Sequence, residues 1–127
     1  MNVWHFGGEV ECNTIEELDS ILSMRYGIGV NEFLIYGDRK YPYLAILVKN
    51  NYAFLTFFPE DEEFVFQSIG VDTALDINEM SVFYTGTPTE EIGVWNEFIV
   101  PFSKAKEAAI EFYSSQSLPV CIEWSEQ

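Results

Sequence analysis

The sequence predicts an α+β protein: one domain over residues 1–127, with two helices packed on an antiparallel-dominated sheet of about six to eight strands. Three observations predict it. Short runs rich in β-branched and aromatic residues follow one another through the middle of the chain. Two segments with helical apolar spacing flank them. The strand–helix alternation that builds a parallel nucleotide-binding sheet is absent. With 48% hydrophobic and 17% aromatic residues, the 127-residue chain has apolar surface enough for one core, which argues against disorder despite its charge.

Near the start, His5 is the only histidine and reads as a half-buried strand residue, and Gly7-Gly8 as a turn. Asn13 or Thr14 then caps a helix, with Glu16 or Glu17 placed to complete a capping box and Ile15, Leu18, Ile21 and Leu22 on one face. That helix is expected to end near Arg25-Tyr26-Gly27. Strands are expected over 33–36, 43–48, 52–58, 64–67, 80–84 and 95–100. Asn50-Asn51 has the spacing of a two-residue hairpin, and Asn tolerates the positive φ such a turn needs. Pro101-Phe102-Ser103 opens a second helix, whose Ala105, Ala108, Ala109, Phe112 and Tyr113 recur at helical spacing. Leu118-Pro119 breaks it, and Val120, Ile122 and Trp124 alternate as a closing strand.

Cys12 and Cys121 lack metal-site spacing and read as two buried thiols rather than a disulfide. The N-terminus has no basic-then-apolar signal pattern, and no apolar run approaches the roughly 20 residues of a membrane span, so the chain is expected to stay where it is made.

Reactive constellations are scarce. A lone His5 without a Ser or Cys motif does not make a triad, and Gly7-Gly8 and Gly27-Ile28-Gly29 lack the lysine and the strand–loop–helix setting of a phosphate loop. Asp72, Asp76, Asn78 and Glu79 miss the calcium-loop template, whose central Gly and distant bidentate Glu are absent. No cofactor or metal is expected. A carboxylate pair for hydrolysis would depend on tertiary placement.

Charge is the unusual quantity: 21 Asp and Glu against 6 Lys and Arg, a net −15, where solubility of a small domain asks for a magnitude of only about 2–8. Between Asn50 and Ser103 there are ten acids and no Lys or Arg. Such a surface repels nucleic acid and anionic lipid and speeds encounter with cationic partners. The candidate partner-binding residues are therefore Glu60, Asp61, Glu62 and Glu63 at a loop tip, Asp72, Asp76 and Glu79, and Glu90 and Glu91 in another loop beside Trp95, an aromatic anchor. The competing reading is a solvated edge that blocks strand-to-strand aggregation.

Val100-Pro101 leads into a helix with Ala105, Ala108 and Glu111-Phe112, followed by Pro119 and Ile122-Glu123-Trp124, a closing proline–helix–proline–strand pattern. Upstream, in order, come Glu17-Leu18, the strand over 43–48, the aromatic strand ending at Phe58, and Ser68-Ile69-Gly70. In this closing pattern and this order the chain resembles a large family of small immunity proteins from bacterial polymorphic-toxin systems. The resemblance implies a cytoplasmic antitoxin without catalytic residues whose partner is a cognate basic toxin domain, often a deaminase or nuclease. From the charge, neither a nucleic-acid nor a membrane partner is expected, and exposed strand edges with many aromatics leave monomer or homodimer open. Pro101, Pro119 and Trp124 read as fold determinants. The alternatives are a small carboxylate-dependent hydrolase and a non-catalytic acidic adaptor.

Overall fold

A computed structural model describes residues 1–70 and 73–127. Its strands are β1 (Asn2–His5), β2 (Gly8–Glu11), β3 (Val30–Tyr36), β4 (Tyr43–Lys49), β5 (Tyr52–Phe58), β6 (Phe66–Ile69), β7 (Met80–Tyr84), β8 (Glu91–Trp95), β9 (Val100–Pro101) and β10 (Glu123–Glu126). The helices are α1 (Ile15–Leu22) and α2 (Phe102–Ser115), and a 3-10 turn covers Asn96–Phe98. Eight strands form one antiparallel sheet in the order β10-β6-β5-β4-β3-β1-β2, with β9 beside β5, while β7 and β8 form a separate hairpin.

Alternation along β3, β4 and β5 assigns each side chain a face. Phe33, Ile35, Leu44, Ile46, Val48, Ala53, Leu55 and Phe57 point to the helices and are buried with Leu18 and Leu22 of α1 and Ala105, Ala108, Ala109 and Phe112 of α2. The alanines let α2 lie close to the strands, and Phe112 sets its ring edge-on to Phe57 at 6.0 Å. Burying a side chain of that size stabilises by about 1.5–3 kcal/mol. On the opposite face a smaller cluster of Leu47, Phe83, Val94 and Ile99 joins the β7–β8 hairpin to the sheet.

Local signals work as expected at several points. Thr14 Oγ1 accepts from Glu17 N at 3.0 Å while Glu17 Oε2 accepts from Asn13 N at 2.7 Å, a reciprocal cap. Asn50, at φ 53°, carries the turn between the paired Lys49 and Tyr52. Other expectations are corrected. The first helix stops at Leu22, where Arg25 Nη1 donates to the Leu22 carbonyl at 2.6 Å; Gly27 serves instead the tight turn that joins Tyr26 to Val30. The second ends at Ser115, ahead of Leu118-Pro119, because Gln116 turns left-handed at φ 51°. His5 is buried rather than half-buried, and its strand pairs with β2 as an N-terminal hairpin. Strand β6 starts two residues later than expected. The run over 95–100 is not one strand: β8 ends at Trp95, Asn96 and Glu97, poor strand formers, enter the 3-10 turn, and Val100 begins β9. Val120 lies exposed outside the last strand, which begins at Glu123 after Trp124 Nε1 donates to the Pro119 carbonyl at 2.6 Å. Both cysteines are free, but only Cys12 is buried; Cys121 is exposed. No helix among the described residues is long and apolar enough to cross a membrane.

Candidate functional site

The hairpin is placed by polar contacts at both ends. At its turn, Glu32 of β3 accepts from Thr85 Oγ1 at 3.0 Å and from Gly86 N at 2.9 Å. At its open end, the buried Asn96 donates through Nδ2 to the Asp76 carbonyl at 2.8 Å and through its amide to the Glu79 carbonyl at 3.0 Å, and Ser81 Oγ donates to its Oδ1. Asp76 further accepts from Asn78 N at 2.9 Å. The segment over 76–81 is thereby held although it is exposed. Behind it, Gly70 N donates to the Glu97 carbonyl at 2.7 Å, and Ser68 Oγ donates to the Phe98 carbonyl at 2.7 Å while accepting from Leu55 N at 3.0 Å. Ser68-Ile69-Gly70 is thus the seat on which the 96–99 turn rests.

Register divides the hairpin into two faces. Ser81, Phe83 and Val94 turn to the sheet, whereas the pairs Met80–Trp95, Val82–Gly93 and Tyr84–Glu91 face outward. Met80 and Trp95 remain 50% and 48% exposed, and the neighbouring Ile77 63%. Gly93 leaves a gap over which Met80 lies: a Cβ there would stand 2.9 Å from Met80 Cε.

The candidate residues fall into two groups. Asp76, Glu79, Glu90, Glu91 and Trp95 all belong to the hairpin and its approach. Glu91 is the first residue of β8 rather than a loop residue, and Trp95 stands four residues along the strand from it, about 13 Å away, so the two are not adjacent. Glu60, Asp61, Glu62 and Glu63 occupy the β5–β6 loop, beyond the Tyr43–Phe58 pair. The hairpin covers the other end of β4, where Lys49 Nζ donates to the Val82 carbonyl at 3.1 Å. Six residues of strand, about 20 Å, separate the two ends. Asp72 lies outside the described residues. In the β5–β6 loop, Asp61 Oδ1 accepts from Glu63 N at 2.9 Å, and Tyr43 donates its phenol to Glu62 Oε1 at 3.2 Å. Burial first, and the Glu62 carboxylate second, push the Tyr43 phenol well above its ordinary range.

None of these carboxylates takes part in a salt bridge among the described residues, where the ion pairs are Lys104–Glu107 and Lys106–Asp19. Arg25 sits over the Phe102 ring and Lys40 over Tyr41, while Lys49 reaches the hairpin but donates there to the Val82 carbonyl. The described acids over 60–97 are thus left without a salt-bridge partner among the described residues. A different opening of about 510 Å³ lies on the uncovered half of the same sheet face, floored by Trp4, Leu34, Tyr36 and Tyr43 and rimmed by Arg39 and Glu62.

The buried polar side chains among the described residues are His5, Asn31, Ser68 and Asn96, and no carboxylate is among them. Nor do three His, Cys, Asp or Glu side chains converge there as a metal site would need. Sequence reasoning missed Asn96, Glu32 and Met80. An Asn within an apparent strand was the available signal for the first; the other two act through tertiary placement.

The class of protein that this chain resembles is the immunity protein tied to deaminase toxins. In particular, the chain is 25% identical over 122 residues, 95% of each chain, to the double-stranded DNA deaminase immunity protein of Burkholderia cenocepacia (strain H111). The resemblance read from the closing segment and from the residues upstream of it is thus matched by a relative aligned over nearly the whole length. No family model matches the chain.

Proposed function

We propose that this protein is a cytoplasmic, non-catalytic immunity protein that binds and neutralises a cognate toxin domain, a nucleic-acid-targeting deaminase or nuclease, through its acidic surface. The likeness to a double-stranded DNA deaminase immunity protein across 95% of both chains carries this reading. The physical support is complementarity. A domain that acts on DNA must offer cations to the phosphate backbone, and the described acids over 60–97 have no salt-bridge partner among the described residues. Opposed fields of this kind raise association rates by about 10–1,000-fold at low ionic strength.

The test is co-expression with the toxin domain encoded beside this gene, scoring both survival and co-purification. Rescue of growth with a stoichiometric complex, whose association slows as salt rises, is the expected result. Survival without the complex, or a complex that leaves the toxin active, overturns the proposal.

A further inference from the structure

Resting on that reading, we infer that the outward face of the β7–β8 hairpin is the surface that docks the toxin, while the acids of the β5–β6 loop only steer its approach. The hairpin is a two-stranded sheet with one face spent on Leu47 and Ile99 and the other uncovered. On that open face Met80 and Trp95 lie side by side by register, Val82 follows at 38% exposure, and Ile77 extends the apolar area beyond the strand end. Exposed apolar groups clustered in this way are costly unless a partner covers them. Of the large apolar side chains exposed among the described residues, Ile77, Met80, Val82 and Trp95 gather on or beside this face, while Ile92, paired with Phe83, belongs to the other.

The surroundings specify the occupant. Glu79 precedes Met80, Glu91 pairs across from Tyr84 on the open face, and Glu97 follows Trp95; all three are exposed and outside any described salt bridge. The cation at the hairpin, Lys49, is turned to a backbone carbonyl. An apolar centre with a predominantly anionic rim fits a cationic protein surface, with an Arg or Lys stem laid against Met80 and its charge over the Trp95 ring or against a rim carboxylate. It does not fit a second copy of this chain, which would oppose like charges across the contact. The surface is also pre-organised. Glu32 holds the turn and Asn96 the 76–81 approach, so little ordering cost remains to be met on docking. The loop over 60–63 shares the charge but is held mainly by the local Asp61 turn and the Tyr43 phenol, about 20 Å of strand away.

The experiment measures association and dissociation rates of the purified toxin domain encoded beside this gene against the full chain, for W95A, M80S, a quadruple Glu/Asp→Gln/Asn variant at 60–63, and F64S as an exposed apolar control outside the hairpin. Trp95→Ala and Met80→Ser are expected to speed dissociation by about 30-fold or more with little change in association. The quadruple variant should slow association at low salt and leave dissociation within about twofold, and Phe64→Ser should change neither. Thermal melts identify any variant that has lost its fold, and Glu79→Lys with Glu91→Lys, a purely surface pair, then serves as the second reading, expected to abolish tight binding. Binding by the wild-type chain with unchanged dissociation for the hairpin variants overturns the docking surface alone. Failure of the wild-type chain to bind overturns the immunity reading and the surface with it.

Discussion

Replacing Gly70 by alanine tests how the acidic half of the molecule is seated. An added Cβ would fall on the carbonyl oxygen of Ile99, with the carbonyl carbon at 2.5 Å and the amide nitrogen at 3.1 Å. Non-bonded carbons rest at about 3.5–4.0 Å, so clearing the carbonyl carbon alone takes a retreat of the 96–99 turn of about 1 Å, and clearing its oxygen takes more. Those neighbours are backbone and cannot rotate away. The retreat loosens two hydrogen bonds, Gly70 N to the Glu97 carbonyl and Ser68 Oγ to the Phe98 carbonyl, both 2.7 Å. At about 1 kcal/mol each, with about 1–2 kcal/mol of residual overpacking, the cost is about 3–4 kcal/mol. For a chain of this length that lowers Tm by about 10–15 °C. Gly86 supplies the comparison: it adopts φ 77°, but a Cβ added there would meet nothing within 4 Å, so Gly86→Ala costs only backbone strain, about 1–2 kcal/mol. Thermal melts followed by near-UV circular dichroism compare the two variants. A Gly70→Ala protein that melts no lower than Gly86→Ala would refute the close approach and the seat built on it.

Asn96→Ala strands the Asp76 carbonyl and the Ser81 hydroxyl, costing about 1–3 kcal/mol, and amide exchange should quicken over 76–81 with α2 unchanged; uniform exchange would count against the clamp. His5 is buried, which lowers its pKa below the ordinary 6.5, and its Nδ1 accepts from Gly7 N at 3.0 Å, a bond that protonation breaks. The unfolded chain therefore takes up a proton that the folded one resists, so this contribution is complete above pH 6.5 and is lost as pH falls below it through the folded-state value. Urea midpoints should be higher at about pH 7.5 than at about 5.5, with a flatter slope in His5→Asn; equal slopes in the two proteins would exclude His5 as the source. Thr14→Ala removes the α1 cap and should lower stability by about 1 kcal/mol in the same urea assay, and no change would show that the cap contributes nothing.

Much of the fold is legible in the residues. The runs over 52–58 and 80–84 match β5 and β7 end to end, and the Thr14 cap, the Asn50 turn and the alanine face of α2 follow from local chemistry. What escaped is set by distant partners. Glu91-Ile92-Gly93-Val94-Trp95 contains an acid and a glycine and has weak strand character, yet pairing with β7 makes it a strand. Trp95-Asn96-Glu97-Phe98-Ile99-Val100 has aromatic and β-branched residues enough for a strand, yet the buried Asn96 side chain is needed by Asp76 and Ser81, and the chain turns. The acids between 50 and 103 were visible as a charge run, but their separation into a hairpin group and a distant loop follows from where β4 begins and ends. Met80 and Gly93 carry no sequence mark of their own, because the exposed face is defined by register.

The two apolar clusters meet opposite faces of one sheet and share no side chain: Ile46 and Val48 belong to one, Leu47 between them to the other. Substitutions on the two sides should therefore combine nearly additively. Residues on the hairpin, the docking surface proposed above, can therefore be exchanged while the helix-backed half keeps its stability reserve, so a change of surface chemistry there does not require a new core.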